Sequence, residues 1–175
     1  MRDARPAIVA SAFWLSKQRS RCVYSEGPER MSAINRPFVV PAVMDCSAFV
    51  TVCYNWAGAP DPNHLGYDYE GYTGTLLSAG EHLALFSYNG LRQRIEDVRP
   101  GDVVVFGPGT GVHCALIVAL GDGDPITISM GRPGDPNVVR VSQMLSLGTP
   151  TYLRFDTRSR HPKFPPGHKS LRRKG

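Results

Sequence analysis

The chain has 175 residues, 42% of them hydrophobic and 20% charged, a balance that points to one globular domain with a proper core. Its net charge of +5 would suggest a nucleic-acid or acidic partner, but residues 157–175 hold seven Lys/Arg and no acid, leaving 13 basic and 15 acidic residues in 1–156. The division expected is therefore a nearly neutral body, 1–156, and a basic, mobile tail, 157–175, with no basic patch on the body for a specific nucleic acid.

Near the N-terminus, Arg2 and Arg5 precede an apolar run from Pro6 to Leu15 that imitates a signal peptide. No small-residue cleavage site follows, and Ser16-Lys17-Gln18-Arg19 continues as a polar helix end. The run is read as an amphipathic helix over Ala7 to Lys17 that turns Ile8, Val9, Phe13, Trp14 and Leu15 to a core. No other stretch approaches the length of a membrane span. Residues Arg19 to Pro41 read as irregular.

Asp45 is a good N-cap, and Cys46, Phe49, Val50, Cys53, Trp56 and Ala57 then recur at helical spacing, with Gly58 placed to end the helix. Ala59 to Gly90 is a long connection rich in Gly, Tyr, Asp and Pro, broken by a short helix or turn around Thr75 to Leu85; Tyr67, Tyr69 and Tyr72 suit a groove-lining loop. From Leu91 the texture changes to strands. Ile95 to Val98 leads into the turn Arg99-Pro100-Gly101-Asp102, and strands follow at Val103–Phe106, His113–Leu120, Ile126–Met130, Val138–Val141 and Thr151–Phe155. Helices first and strands later is the α+β pattern, here with an antiparallel sheet of about five strands.

The cysteines at 22, 46, 53 and 114 form no C-x-x-C pair, which argues against a zinc knuckle or a thioredoxin-like motif. A chain this long needs no disulfide framework, so reduced thiols are expected. No carboxylate or His cluster has ligand spacing, so no metal and no cofactor is expected. Cys46, in the first turn of a buried helix, is either a small buried hydrophobe or, with the helix dipole and unpaired N–H groups lowering its pKa, a nucleophile. Of the five histidines, His113 begins a strand after a Gly-rich loop and can face such a thiol as its base. Backbone N–H groups around Cys46 and Ser47 could then stabilise an oxyanion.

These residues carry a resemblance. Asp45-Cys46-Ser47-Ala48-Phe49-Val50, Pro100-Gly101-Asp102-Val103-Val104-Val105-Phe106 and His113-Cys114-Ala115-Leu116-Ile117 resemble, in order and spacing, the motifs of the NlpC-type cysteine peptidases, papain-like enzymes that cut peptidoglycan stem peptides. Tyr24 resembles the family tyrosine that reaches toward cysteine and substrate. More narrowly, Trp56 to Asn63 and Gly71 to Leu77 resemble peptidase modules of endolysins from phages of actinobacteria. The resemblance implies a papain-like fold and a hydrolase with Cys46 and His113 as catalytic residues and Tyr24, Asp45 and Ser47 at the oxyanion or substrate. It also implies synthesis in a host cytoplasm without a signal peptide and action at the cell wall on stem peptides. The charge of the tail is read separately, either as simply solvated or as drawn to anionic wall polymers.

Two positions depart from the family pattern. Ala48 stands where Gly is usual, an addition of one methyl. Met130, in Ser129-Met130-Gly131, stands where a polar third residue is expected. Methionine cannot orient an imidazole by accepting its N–H, which leaves Ser129, a backbone carbonyl or a water to do so. A weakened module that only binds stem peptides, and an amidase or acyltransferase on the same scaffold, are the competing readings.

Overall fold

The computed structural model describes residues 1–83 and 97–168, and between them the short strand pair Ser87–Tyr88 and Arg92–Gln93. Leu85, Ile95 and Glu96, for which a helix end and a strand lead-in were expected, and the tail beyond His168 lie outside the described residues.

In chain order the elements are β1 (Arg2–Asp3), α1 (Arg5–Lys17), β2 (Cys22–Tyr24), β3 (Ala42–Met44), α2 (Cys46–Trp56), α3 (Thr73–Ala79), β4 (Glu81–His82), β5 (Ser87–Tyr88), β6 (Arg92–Gln93), β7 (Val103–Phe106), β8 (His113–Ala119), β9 (Ile126–Ser129), β10 (Asn137–Arg140), β11 (Pro150–Arg154) and β12 (Arg158–Ser159). Short 3-10 turns lie at Arg19–Arg21, Pro28–Met31 and Val141–Leu147. Six strands form one antiparallel sheet in the order β10-β9-β8-β7-β11-β4. The α+β architecture and the five strands from β7 to β11 match the sequence reading, and the sixth strand is the two-residue β4.

The sheet is covered on both faces, which is why β7 is buried at all four positions. Val103, Val105, Cys114, Leu116, Ile128, Met130 and Leu153 pack on the helix side with α1 and α2. Val104, Phe106, Ala115, Ile117 and Tyr152 pack on the other, under Val98, Val141 and Met144. Strand alternation thus sorts neighbouring residues into two cores. Helix α2 lies at the centre and is buried from Ser47 to Tyr54; its apolar positions are not a single stripe, because α1 closes its outer side.

Helix α1 corrects the expected face. Ala7, Ile8, Ser11, Ala12 and Leu15 are buried, whereas Phe13 is 40% exposed. Small residues on the inner face let α1 approach α2 closely. Trp14 is half-buried and meets Phe38 and Trp56 edge-on, with ring centroids 5.8 and 5.7 Å away.

Two further expectations are corrected. The stretch Arg19 to Pro41, read as irregular, contains β2, which pairs in parallel with β3 and so ties Tyr24 opposite Met44, just before α2. The segment expected to be mobile from residue 157 is docked as far as His168. Strand β12 pairs with β1, Thr157 Oγ1 donates to Asp3 at 2.7 Å, and Lys163 N donates to the Ala57 carbonyl at 3.2 Å. Backbone pairing and a few buried side chains, Pro165 among them, hold a sequence too polar to form a core of its own.

The turn before β7 is clamped from two sides. Asp102, 1% exposed, accepts from Arg99 N at 2.8 Å and from Arg154 Nε and Nη2 at 3.1 and 2.8 Å, and Tyr54 Oη of α2 donates to the Gly101 carbonyl at 2.6 Å. Removing one partner leaves the other charge without its counter-ion in a largely buried place. Asp102→Ala is expected to lower unfolding free energy by about 3–5 kcal/mol, read from urea denaturation midpoints at constant m. A loss below about 1 kcal/mol, as for an exposed pair, would show that the clamp contributes little.

Candidate active site

Asp45 starts α2 by capping it: Oδ1 accepts from Ala48 N at 2.7 Å and from Ser47 Oγ at 2.9 Å. Its other oxygen lies 3.2 Å from Arg30 Nη1. Arg30 also donates to Ser47 Oγ at 3.2 Å and to the Gly71 carbonyl at 2.7 Å. The guanidinium therefore fastens the 3-10 turn at Pro28–Met31 and the loop before α3 to the helix start. The N–H groups of Cys46 and Ser47 belong to the first turn, where backbone donors have no intrahelical acceptor.

Cys46 is half-buried in a cleft of about 430 Å³, a volume typical of small-ligand sites. Tyr24, Arg30, Asp45, Ser47, Tyr72 and His113 line it with Cys46. The structure thus brings five of the six residues named from the sequence into one cleft. The sixth, Ser129, lies behind the ring of His113: its hydroxyl contacts Nε2. With the ring charged, that N–H donates to Ser129 Oγ. Phe106 stacks against the ring with centroids 6.4 Å apart. Gly131 leaves room for it, since a Cβ there would stand 3.0 Å from His113 Cε1.

The Cys46 thiol is pulled down from 9.0 to about 5. The largest cause is a hydrogen bond from Cys114; burial opposes it, and a hydrogen bond and the charge of His113 lower it further, with Asp45 acting slightly against. Cys114 itself is fully buried and its thiol is pushed well up by donating to Cys46 and by desolvation. Cys22 and Cys53 are buried, and burial pushes both thiols up. One of four free thiols is therefore a thiolate at neutral pH, and it is the one in the cleft.

Met130 does not stand where a third polar residue would. It is fully buried in the helix-side core beside Ile128, and alternation along the strand turns Ser129 the other way, to His113. Ser47 has a narrower place than expected: its side chain, 2% exposed, is held between Asp45 and Arg30, so only its backbone N–H is available to a ligand. Tyr24 Oη donates to Glu26 at 2.5 Å, which pushes the phenol up from its usual value.

Sequence reasoning missed Arg30 and Cys114. Arg30 sits in a 3-10 turn with no local signal. Cys114 had one, since the residue after a site histidine on a strand must face the opposite side, here the side that packs on α2.

No protein-family profile matches the sequence, and no curated protein matches it. Among solved structures, the chain is similar to the peptidoglycan hydrolase RipB of Mycobacterium tuberculosis, with 21% identity over 88% of this chain and 67% of RipB and a TM-score of 0.51. It is also similar to an NlpC/P60 family protein of Bacillus cereus, at 16% identity over 77% of this chain and 41% of that one, TM-score 0.45. A third is RipA, a resuscitation promoting factor interacting protein mutated at a cysteine, at 13% identity over 88% and 85% of the two chains, TM-score 0.43. The fold is the one RipB has.

Alkylation by iodoacetamide is expected to label Cys46 alone in the folded protein, at a rate that falls as pH drops through about 5 and is flat across neutral pH. Cys114→Ala removes the largest stabilising contact, so its midpoint is expected to move upward. A wild-type midpoint near the ordinary thiol value of about 8.5 would rule out an activated Cys46.

Proposed function

We propose that the chain is a peptidoglycan hydrolase, a cysteine endopeptidase that cuts amide bonds of stem peptides at the bacterial cell wall. The observation that carries the reading is the Cys46 thiolate in an open cleft, hydrogen-bonded to His113, whose far nitrogen meets Ser129. The shared fold with RipB, itself a peptidoglycan hydrolase, supports the choice of substrate class.

In this reading the Cys46 sulfur attacks the carbonyl carbon, forming the S–C bond as the oxygen takes the negative charge near the N–H groups that start α2. The His113 ring gives its proton to the leaving nitrogen as the C–N bond breaks. The neutral ring then takes a proton from water, whose oxygen attacks the thioester and returns the thiolate. Ser129 holds the ring at Nε2 through both steps, and the Asp45–Arg30 pair ties the helix start to the turn at Pro28–Met31 and, through Arg30, to the loop before α3. The resemblance of Trp56 to Asn63 and Gly71 to Leu77 to peptidase modules of actinobacterial phage endolysins supports reading the enzyme as a lysis protein made in a host cytoplasm. The basic residues after His168 would attract anionic wall polymers.

The test is release of new amino groups from purified walls. Wild type is expected to release them and Cys46→Ala to release none; release by neither, with wall binding retained by both, would leave a stem-peptide binding module instead. Transfer of an acyl group to an added amine without net hydrolysis would indicate an acyltransferase.

Ser129→Ala is expected to lower kcat roughly ten- to a hundredfold with little change in KM, the pattern of a group that orients the base. Equal kcat would remove Ser129 from the mechanism. Deleting residues 169–175, which carry Lys169, Arg172, Arg173 and Lys174, is expected to flatten the salt dependence of wall lysis without lowering the rate at high salt. Unchanged salt dependence would exclude attraction through the tail.

A further inference from the structure

The mechanism above uses one of four free thiols, and of the other three Cys114 is the one next to a site residue. Cys114 lies directly behind the cleft, next in sequence to the base, on the face of β8 that packs against α2. Its thiol is fully buried and hydrogen-bonded to the sulfur of Cys46, which is itself free and open to the cleft. An exposed thiolate backed by a second, sheltered thiol is the arrangement in which oxidation stops at a disulfide instead of proceeding to irreversible acids.

We propose that Cys46 and Cys114 form an oxidative modification site, at which hydroperoxides convert the cleft cysteine reversibly into a Cys46–Cys114 disulfide that closes the site. The inference goes beyond the hydrolase reading, because it concerns the two sulfurs and needs no substrate.

The chemistry balances with hydrogen peroxide as oxidant. The Cys46 thiolate attacks one peroxide oxygen, an S–O bond forms as the O–O bond breaks, and the departing hydroxide takes a proton to become water. Cys46 is then a sulfenic acid, oxidised by two electrons, and the peroxide is reduced. The Cys114 sulfur next attacks the Cys46 sulfur. The S–S bond forms, the S–O bond breaks, and the released hydroxide leaves as water with the proton from Cys114. Added dithiol reverses the change by thiol–disulfide exchange.

Three features favour this pair over the others. Peroxide reaches Cys46 first, because Cys22, Cys53 and Cys114 are buried. Converting the Cys46 anion to a neutral sulfenic acid removes the group whose hydrogen bond most suppresses ionisation of Cys114. Cys46 packs against the core cluster that holds Cys114, where α2 lies on β8, so the two thiols already share one contact region.

The experiment treats the full-length protein with hydrogen peroxide and follows intact mass, peptide maps and dithiothreitol-recoverable alkylation of Cys46. Wild type is expected to lose about 2 Da, to yield one linked peptide pair joining Cys46 and Cys114, and to recover fully with dithiothreitol. Cys114→Ser keeps a hydrogen-bond donor but no sulfur. Its Cys46 is expected to gain oxygen instead, and its recoverable fraction to fall about tenfold. Peptide maps of the wild type decide the matter even if the variant does not fold. Sulfinic or sulfonic Cys46 without a Cys46–Cys114 peptide pair, or a link between any other cysteines, would overturn the proposal whether or not the chain hydrolyses walls.

Discussion

The start of α2 meets the start of β8, and the arrangement of the cleft follows from that contact. Asp45 ends β3's run and caps α2, so the first helical residue is fixed in direction as well as position. Its second oxygen holds Arg30, and through Arg30 the loop that forms the cleft's outer wall. A helix whose body is buried from residue 47 to 54 cannot tilt without opening the core between it and the sheet. The thiol at its tip is therefore held against β8 by the packing of the whole domain. Capping of this kind is worth about 1 kcal/mol in a simple helix; here its larger consequence is positional.

The charge in the cleft is stabilised by neutral and charged donors together. Burial alone would push the Cys46 thiol up, as it does for Cys22 and Cys53. What separates Cys46 from them is a pair of adjacent donors on one strand, His113 and Cys114, reaching the same sulfur. Consecutive residues on a strand normally face apart. Both still reach that sulfur, His113 from the cleft, where Gly131 just past the neighbouring strand leaves space for the ring, and Cys114 from the helix-facing side of β8.

Much of this was legible in the sequence where the signals were local. The cap at Asp45, the strand composition of Val103–Phe106 and the turn chemistry of Pro100-Gly101-Asp102 each depend on a few neighbouring residues, and each appears where expected. Ser129 was one of three candidates for the group behind His113, and it is the one whose side chain touches the ring. What escaped was set by contacts distant in sequence. The parallel pairing of β2 with β3 spans a stretch of prolines and charges that shows no periodicity. The inner face of α1 is chosen by how closely α2 approaches, which favoured Ala and Ser over the bulkier Phe13. The tail through His168 is held by backbone pairing with β1 and α2's end, and composition carries no trace of such a partner.

The same reasoning recasts Met130. From the sequence it looked like a lost catalytic group, because it occupies a place in a motif. In the fold it is a core residue. Strand β9 presents one residue to His113 and the next to the helix layer, and a Met in that layer packs with Ile128 in the core. Cys114 follows the same alternation one strand away, with a different result: the helix layer at that point is the sulfur of Cys46. The residue after each site side chain is thus a core residue by geometry, and only the chemistry of what it meets decides whether it also serves the site. Methionine meeting aliphatic carbon adds packing alone, whereas a thiol meeting a thiolate adds a hydrogen bond, a lowered pKa and an oxidisable pair.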